Sequence, residues 1–429
     1  MTITKKLALL LLAAFLLRLG AGLWWQSRIG VGFGFGDSES YWSLGRTIAL
    51  GEPYQFGKAD SRVFRTPGYP ALLAPVFLLG GPDPPVFWGR VLGALFGTLS
   101  VVGVWWFARG LFGSRAGWIA GAAAAVYPEA IAGSVFVLSE APFCPLMLAN
   151  LGLWVVAWQT ESPRRAGLLA AAAGATAGVA TLVRPSWLLF LPFALAVGLA
   201  LGPKGTVPFL LRKNRDSPQA ARRRHLLLGL VMLLGMVLVM APWWIRNARA
   251  VGRFVPTTLE VGASLYDGLN PRATGASKMS LVDRFLQEER LDQSNPDEPL
   301  EVRLDRRMRD EALAWARANP ARVVQLAGIK FLRMWNIWPN EASLSSWPLR
   351  LLVMLTYVPV LLLGILGAVK TIRQGWPYWL CWLPAVYFTL LHVVFVGSIR
   401  YRQPAMLGLI VLAAGLVVAW PRDGATKEG

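Results

Sequence analysis

Residues 30–70 read GVGFGFGDSESYWSLGRTIALGEPYQFGKADSRVFRTPGYP, and they follow closely on an apolar run from Leu7 to Trp25. The stretch is too polar and too rich in Gly and Pro to cross a membrane, so it belongs to a loop between spans. Asp37 and Glu39 stand just past the membrane exit, and Arg65 opens the turn R-T-P-G-Y-P that leads back towards the membrane. Carboxylates and an arginine held on one loop at a membrane edge can do chemistry on a charged lipid headgroup. Within the loop, Ser38–Leu50 carries Tyr41, Trp42, Leu44, Ile48 and Ala49 at helical spacing. That predicts a short helix lying along the membrane surface, ended by Gly51-Glu52-Pro53. Asp37 or Ser38 also suits a plain N-cap of that helix.

Working outward, the chain reads as an all-α polytopic membrane protein. Of its 429 residues, 55% are hydrophobic and only 16% charged, against about a quarter charged in a soluble domain. The net charge of +19 does not point to nucleic acid, because the basic residues gather in loops between apolar runs. That is the pattern of topology signals and lipid-phosphate contacts. Cys144 and Cys381 lie inside apolar runs, and His225 and His392 are far apart. Neither pair suggests a disulfide framework or a metal cluster, so no metal or other cofactor is expected.

Lys5 and Lys6 precede the first run, which ends in the interfacial pair Trp24-Trp25 without a clean small-x-small cleavage site. This reads as an uncleaved span with a cytoplasmic N-terminus. Arg18, in its outer half, reads first as a cation that snorkels to the outer headgroups, with a role near the site as the alternative. Further spans fall near Val86–Ala108, Ala166–Leu182, Trp187–Leu201, Leu226–Met240, Pro348–Val369, Tyr378–Val396 and Pro404–Trp420. Ala116–Gln159 is long enough for two, broken between Tyr127-Pro128-Glu129 and Ser139-Glu140. The sum is about ten transmembrane helices. The basic loop Lys204–Arg224 is the strongest inside signal. It places both termini in the cytoplasm of an inner (plasma) membrane protein.

Three regions follow. Residues 1–246 form an N-terminal transmembrane module with the first outer loop at 26–86. Residues 247–346 form a small, mostly helical outer domain, and residues 347–429 the C-terminal spans. Within the outer domain, 321–338 sets Arg322, Lys330 and Arg333 beside large apolar residues, which predicts an interfacial helix.

This topology collects Asp37, Glu39, Arg65, Glu129, Glu140, Arg184, Arg246, Arg400 and Arg402 on the outer face. Arginines there run against the topology rule, and a guanidinium presents a planar fork suited to phosphate oxygens. Arg400 and Arg402 flank Tyr401 immediately before a span, where they either grip a phosphate or snorkel at a helix end. Glu140, an acid near membrane depth, is either a functional candidate or an acid satisfied by neighbouring backbone amides. A carboxylate beside a bound phosphate can act as general base while arginines stabilise the leaving charge. The reaction this fits is glycosyl transfer from a polyprenyl-phosphate sugar. No G-x-x-x-x-G-K run or Rossmann glycine pattern is present. The glycines at 30, 32, 34 and 36 lie between a span and an acid with no strand before them.

The motifs run in a recognisable order. D-x-x-x-Y (Asp37–Tyr41), G-E-P-Y (Gly51–Tyr54) and R-T-P-G-Y-P (Arg65–Pro70, with Tyr69) come first. L-S-E (Leu138–Glu140), P-W-W-I-R-N…G-R-F-V-P (Pro242–Pro256, with Arg246) and H-x-x-x-F-x-x-x-R-Y-R-Q-P (His392–Pro404) follow. Together they resemble the GT-C-fold membrane glycosyltransferases that include protein O-mannosyltransferases and lipid A aminoarabinose transferases. The resemblance implies an inverting transferase that uses a polyprenyl-phosphate sugar donor and passes the sugar to an envelope acceptor. It makes Asp37 the catalytic carboxylate and Glu140 the acid of the second outer loop. It makes Arg65, Arg400 and Arg402 donor-phosphate contacts, with Glu39, Tyr41, Tyr69, Arg246 and Tyr401 as further substrate-binding candidates. Many members follow that Asp directly with Glu; here Ser38 follows and Glu39 comes one place later. Some relatives hold a metal, but no histidine cluster here calls for one. A transporter or flippase of polyprenyl-linked sugars, or a non-catalytic envelope-assembly subunit, are the alternative readings.

Overall fold

The computed structural model describes residues 3–57, 61–201, 218–291, 298–339 and 346–424, and among these there is no strand. The helices are α1 (Ile3–Ile29), α2 (Gly36–Leu50), α3 (Gly68–Gly80), α4 (Phe87–Phe112), α5 (Ser114–Val126) and α6 (Pro128–Val135). They continue with α7 (Glu140–Gln159), α8 (Pro163–Val183), α9 (Phe190–Leu201), α10 (Pro218–Val251), α11 (Val261–Gly268) and α12 (Asp283–Leu291). The last are α13 (Leu300–Ala318), α14 (Pro320–Met334), α15 (Trp347–Ile372), α16 (Leu383–Val394) and α17 (Gln403–Gly424).

All ten apolar segments expected to span are helical, but among the described residues only 7 helices are both long and apolar enough to cross a membrane. The others fall short for identifiable reasons. Pro128 divides the third segment into α5 and α6, since proline offers no N–H to continue the ladder. The sixth and ninth begin as 3₁₀ turns at Pro185–Trp187 and Tyr378–Cys381, leaving 12 α-helical residues each in α9 and α16. The seventh is longer than expected, because α10 continues through Pro242 to Val251. The surface helix at 38–50 is present as α2, and α3 packs against it. Of the basic loop expected inside, residues 202–217 lie outside the described residues; Arg224 donates to the carbonyls of Ala157 and Thr160.

The bundle packs around α17, 83% of whose most apolar stretch is buried, against 17% for peripheral α1. Close approach is made by small residues. A Cβ on Gly174 of α8 would lie 2.0 Å from the Met232 carbonyl oxygen of α10, so only glycine admits that contact. In the 247–346 segment, α11–α13 share a small core of Ala263, Phe285 and Met308. On α14, Val324 and Leu332 stay exposed while Lys330 is buried and donates its Nζ to the Val394 carbonyl (2.7 Å).

Arg18 does not snorkel. It is fully buried and donates to the carbonyls of Ala14, Ala124 and Ala125 (3.0–3.1 Å). Ala124 is the carbonyl that Pro128 leaves without an amide partner, so this guanidinium caps the broken end of α5.

Candidate active site

Five charged side chains, far apart in sequence, meet at the loop-rich end of the bundle. Asp37 occupies the first turn of α2, where the helix dipole favours an anion. It is not an N-cap: Phe35 holds that position, and Ser38 instead donates its Oγ to the Phe136 carbonyl (2.8 Å). Asp37 Oδ1 accepts from an Arg65 terminal nitrogen at 2.8 Å, and Oδ2 from an Arg400 terminal nitrogen at 2.9 Å. Arg400 Nε lies 2.8 Å from Glu140 Oε1, and an Arg184 terminal nitrogen lies 3.1 Å from the same atom. Arg184 also donates to Ser139 Oγ (3.1 Å), and Arg65 Nε to Ser40 Oγ (3.1 Å). Three guanidinium groups thus surround two carboxylates, leaving one positive charge in excess. Burial alone would push the Asp37 carboxyl up, but Arg65 and Arg400 outweigh it and hold it at about 2.

Local structure aims these groups. The chain reverses between α6 and α7 at 136–139, where Val137 adopts φ 55. A β-branched residue with positive φ is strained, and here it sets the turn that delivers Glu140. Gly68 lets the start of α3 lie on the end of α8, since a Cβ there would sit 2.5 Å from the Leu182 carbonyl carbon. That contact brings Arg65 and Arg184 to the same place. Tyr401 stacks flat on His392, ring centroids 4.0 Å apart, and His392 is fixed by Nδ1 against the Val396 carbonyl (3.1 Å).

The cluster opens into a cavity of about 1440 Å³, larger than the roughly 300–1,000 Å³ of an ordinary small-ligand pocket. One half is apolar, lined by Leu16, Leu17 and Trp24 of α1, Ile131 of α6, and Leu352 and Val353 of α15. Leu16, Leu17, Trp24 and Leu352 are 54%, 45%, 43% and 47% exposed, so this half is open along its flank. The other half lies against the 247–346 segment and carries Glu260, Ser277, Asp283, Arg290 and Glu301. Asp37, Arg65, Glu140 and Arg400 line the junction.

The sequence-derived candidates separate accordingly. Asp37, Glu140, Arg65, Arg400 and Tyr401 line the cavity. Tyr41 and Tyr69 do not; their rings meet edge to face at 5.1 Å, and Tyr41 lies under the Arg65 guanidinium at 5.3 Å, so they support that arginine. Glu39 is exposed and off the cavity. Arg246 donates to the carbonyls of Arg62 (2.6 Å) and Tyr54 (2.9 Å) and clamps the loop instead of facing the cavity. Arg402 is fully buried on Tyr357 (3.6 Å), is ion-paired with Glu129, and points away. Two residues of the site stood outside the candidate set: Arg184, which pairs with Glu140 from off the cavity and stood among the outer arginines without a role, and Glu260, which lines the cavity and had no motif around it. Among the described residues, no group of three His, Cys, Asp or Glu side chains is placed to hold a metal ion.

Residues 65–245 match the protein-family profile described as dolichyl-phosphate-mannose-protein mannosyltransferase. The chain is similar in structure to the apo oligosaccharyltransferase of Archaeoglobus fulgidus: TM-score 0.58, 14% identity, 98% of this chain covered. This is the GT-C fold of membrane glycosyltransferases. The same archaeal enzyme, AglB, in complex with an inhibitory peptide and a dolichol-phosphate, matches at TM-score 0.56 and 15% identity over 99% of this chain. The GT-C chain described here spans about half of each of those structures, 52% in both cases. ArnT from Cupriavidus metallidurans bound to undecaprenyl phosphate also matches, with 19% identity over 99% of this chain and 80% of that one, at a TM-score of 0.44 that carries no argument. Among curated proteins no sequence matches.

Proposed function

We propose that the protein is an integral membrane glycosyltransferase that moves a sugar, with inversion, from a polyprenyl-phosphate donor to an acceptor of the cell envelope. The observation that carries this reading is the Asp37–Arg65–Arg400–Glu140–Arg184 cluster, with its excess positive charge, at the junction of an apolar and a polar half-cavity. An apolar channel open on its flank suits a lipid tail entering from the bilayer. The dolichol-phosphate in the archaeal complex supports a lipid phosphate as the bound group. A phosphodiester carries one negative charge, which matches the excess. As the sugar leaves, the phosphate gains a second charge, and guanidinium groups held in place beforehand stabilise it at no reorganisation cost.

Asp37 is the general base in this reading. While both its oxygens are ion-paired it binds protons poorly. A donor phosphate competes for Arg65 and Arg400, and as they turn to it the Asp37 carboxylate regains proton affinity. The acceptor's hydroxyl or amine then loses its proton to Asp37 as it attacks the anomeric carbon. Glu140 keeps Arg400 and Arg184 oriented from behind. The site faces the extracytoplasmic side, and both termini lie in the cytoplasm. The test is release or transfer of labelled sugar from undecaprenyl-phosphate mannose or glucose by the purified protein. A protein that moves lipid-linked sugar across a bilayer but never cleaves the sugar–phosphate bond is a transporter, and that result would overturn the proposal.

A further inference from the structure

Three acids of the 247–346 segment stand together beside Arg65, Glu260 and Glu301 on the cavity wall and Asp305 off it. Two are committed to the fold. Glu301 accepts the Val63 N–H (2.9 Å) and faces Arg62 (3.8 Å), and Asp305 accepts the Gly262 N–H (2.6 Å). The third, Glu260, lines the cavity, and its carboxylate makes no hydrogen bond or ion pair with the described residues. Its place is nevertheless fixed. The Leu259 N–H donates to the Val63 carbonyl (3.0 Å), which ties this stretch to the loop that presents Arg65. The Glu260 carbonyl accepts from Ser264 N–H (3.0 Å) in the first turn of α11. A carboxylate on the cavity wall that satisfies no bond of the fold has no structural reason to be there, and holding it half-buried beside two other acids carries a cost.

We infer that Glu260 is the acceptor-side carboxylate: it holds the acceptor's hydroxyl or amine by a hydrogen bond, and it receives the acceptor's proton from Asp37. The inference rests on the glycosyl-transfer reading above. The steps balance as follows. The acceptor O–H or N–H bond breaks and its proton goes to Asp37. The acceptor atom bonds to the anomeric carbon, and the carbon–oxygen bond to phosphate breaks with its electron pair on the phosphate. When the lipid phosphate departs, Arg65 and Arg400 close again on Asp37, which sheds the proton to Glu260 and thence to water in the polar half of the cavity. The groups facing Glu260 are Arg65 and Asp37 from the first loop and Glu301 and Asp305 from α13. Burial, with those three acids, outweighs Arg65 and holds the Glu260 carboxyl up at about 7. A group poised there exchanges protons at neutral pH, whereas the Asp37 carboxyl, held at about 2, does not.

The experiment uses the full chain in lipid nanodiscs with labelled undecaprenyl-phosphate mannose and glucose, water serving as acceptor, from pH 5 to 9. Wild-type sugar release is expected to fall about tenfold per pH unit below pH ~7, because protonated Glu260 cannot take a proton. Glu260→Gln should lose that acid limb and turn over at least about tenfold more slowly at pH 8. Its binding of undecaprenyl phosphate should stay within about twofold of wild type, because no phosphate-facing arginine has lost a partner. Glu260→Asp should keep an acid limb and part of the rate, which separates loss of the carboxylate from loss of the fold. An unchanged pH profile in Glu260→Gln, or phosphate binding that falls in step with turnover, would overturn the role of Glu260 and leave the transferase reading standing. No sugar release by wild type from either donor would overturn both.

Discussion

Replacing Asp37 by Asn separates two jobs that the cluster combines. The substitution keeps the side chain's shape and removes its charge. Asp37 is 40% exposed, while Arg65 and Arg400 are 21% and 25% exposed, so each ion pair is partly solvated. Pairs of that kind contribute about 0.5–1 kcal/mol each, so losing both relieves the phosphate of roughly 1–2 kcal/mol of competition. Undecaprenyl phosphate is therefore expected to bind about 5- to 30-fold more tightly to Asp37→Asn, since 1.4 kcal/mol is about tenfold. Turnover should move the other way. Removing a general base costs about 10²- to 10⁴-fold. The assay pairs isotherms of undecaprenyl phosphate binding in nanodiscs with sugar release from undecaprenyl-phosphate mannose. Tighter binding with lost turnover is the expected signature. Turnover within threefold of wild type would refute the base assignment, and weaker phosphate binding would refute the competition between phosphate and carboxylate for the same arginines.

The remaining predictions concern the frame around the site. Arg402→Met leaves Glu129 buried without its partner and should cost about 3–5 kcal/mol, read as a lowered thermal midpoint that Glu129→Gln largely restores in the double variant. Arg18→Met frees the carbonyls of Ala14, Ala124 and Ala125, at about 1–3 kcal/mol for each that finds no new donor, and scanning calorimetry would register the loss. Gly68→Ala pushes α3 off the end of α8 and carries Arg65 with it. Turnover should drop on the order of 10²-fold while the protein still extracts as a monodisperse species. Glu260→Gln should raise the thermal midpoint at pH 8 but not at pH 5. The Glu260 carboxyl, held up at about 7, keeps its proton in the fold at acid pH, and the penalty grows as pH rises towards 7 and is full above it.

Much of the site was readable in one dimension, and particular residues show why the rest was not. Asp37 and Arg65 share a loop, so their meeting is a short-range matter of one helix and one turn. Arg400 reaches Asp37 across 363 positions, and its motif announced an arginine pair without saying which member faced inward. Glu129 and Glu140 look alike in sequence, each an acid at a break in an apolar run. Both line the cavity, but the fold pairs one with the buried, structural Arg402 and the other with Arg400 and Arg184. Arg18 looked like a snorkelling cation because a helix-by-helix reading cannot see that α5 breaks beside it. Glu260 had no signal at all: T-L-E-V is an ordinary helix approach, and its meaning comes from the cavity it faces.

Run length, composition and the placement of charge are properties of the chain itself, so the sequence by itself determined the helical membrane class and the charged segments between spans from which the cluster is drawn. Pairing between charges is a property of directions in space. Arg400 and Arg402 lie on one 3₁₀ turn, Ile399–Arg402, where residues two apart project to different sides. Only the tertiary structure could decide that the first joins Asp37 and Glu140 at the cavity while the second is spent holding the bundle together.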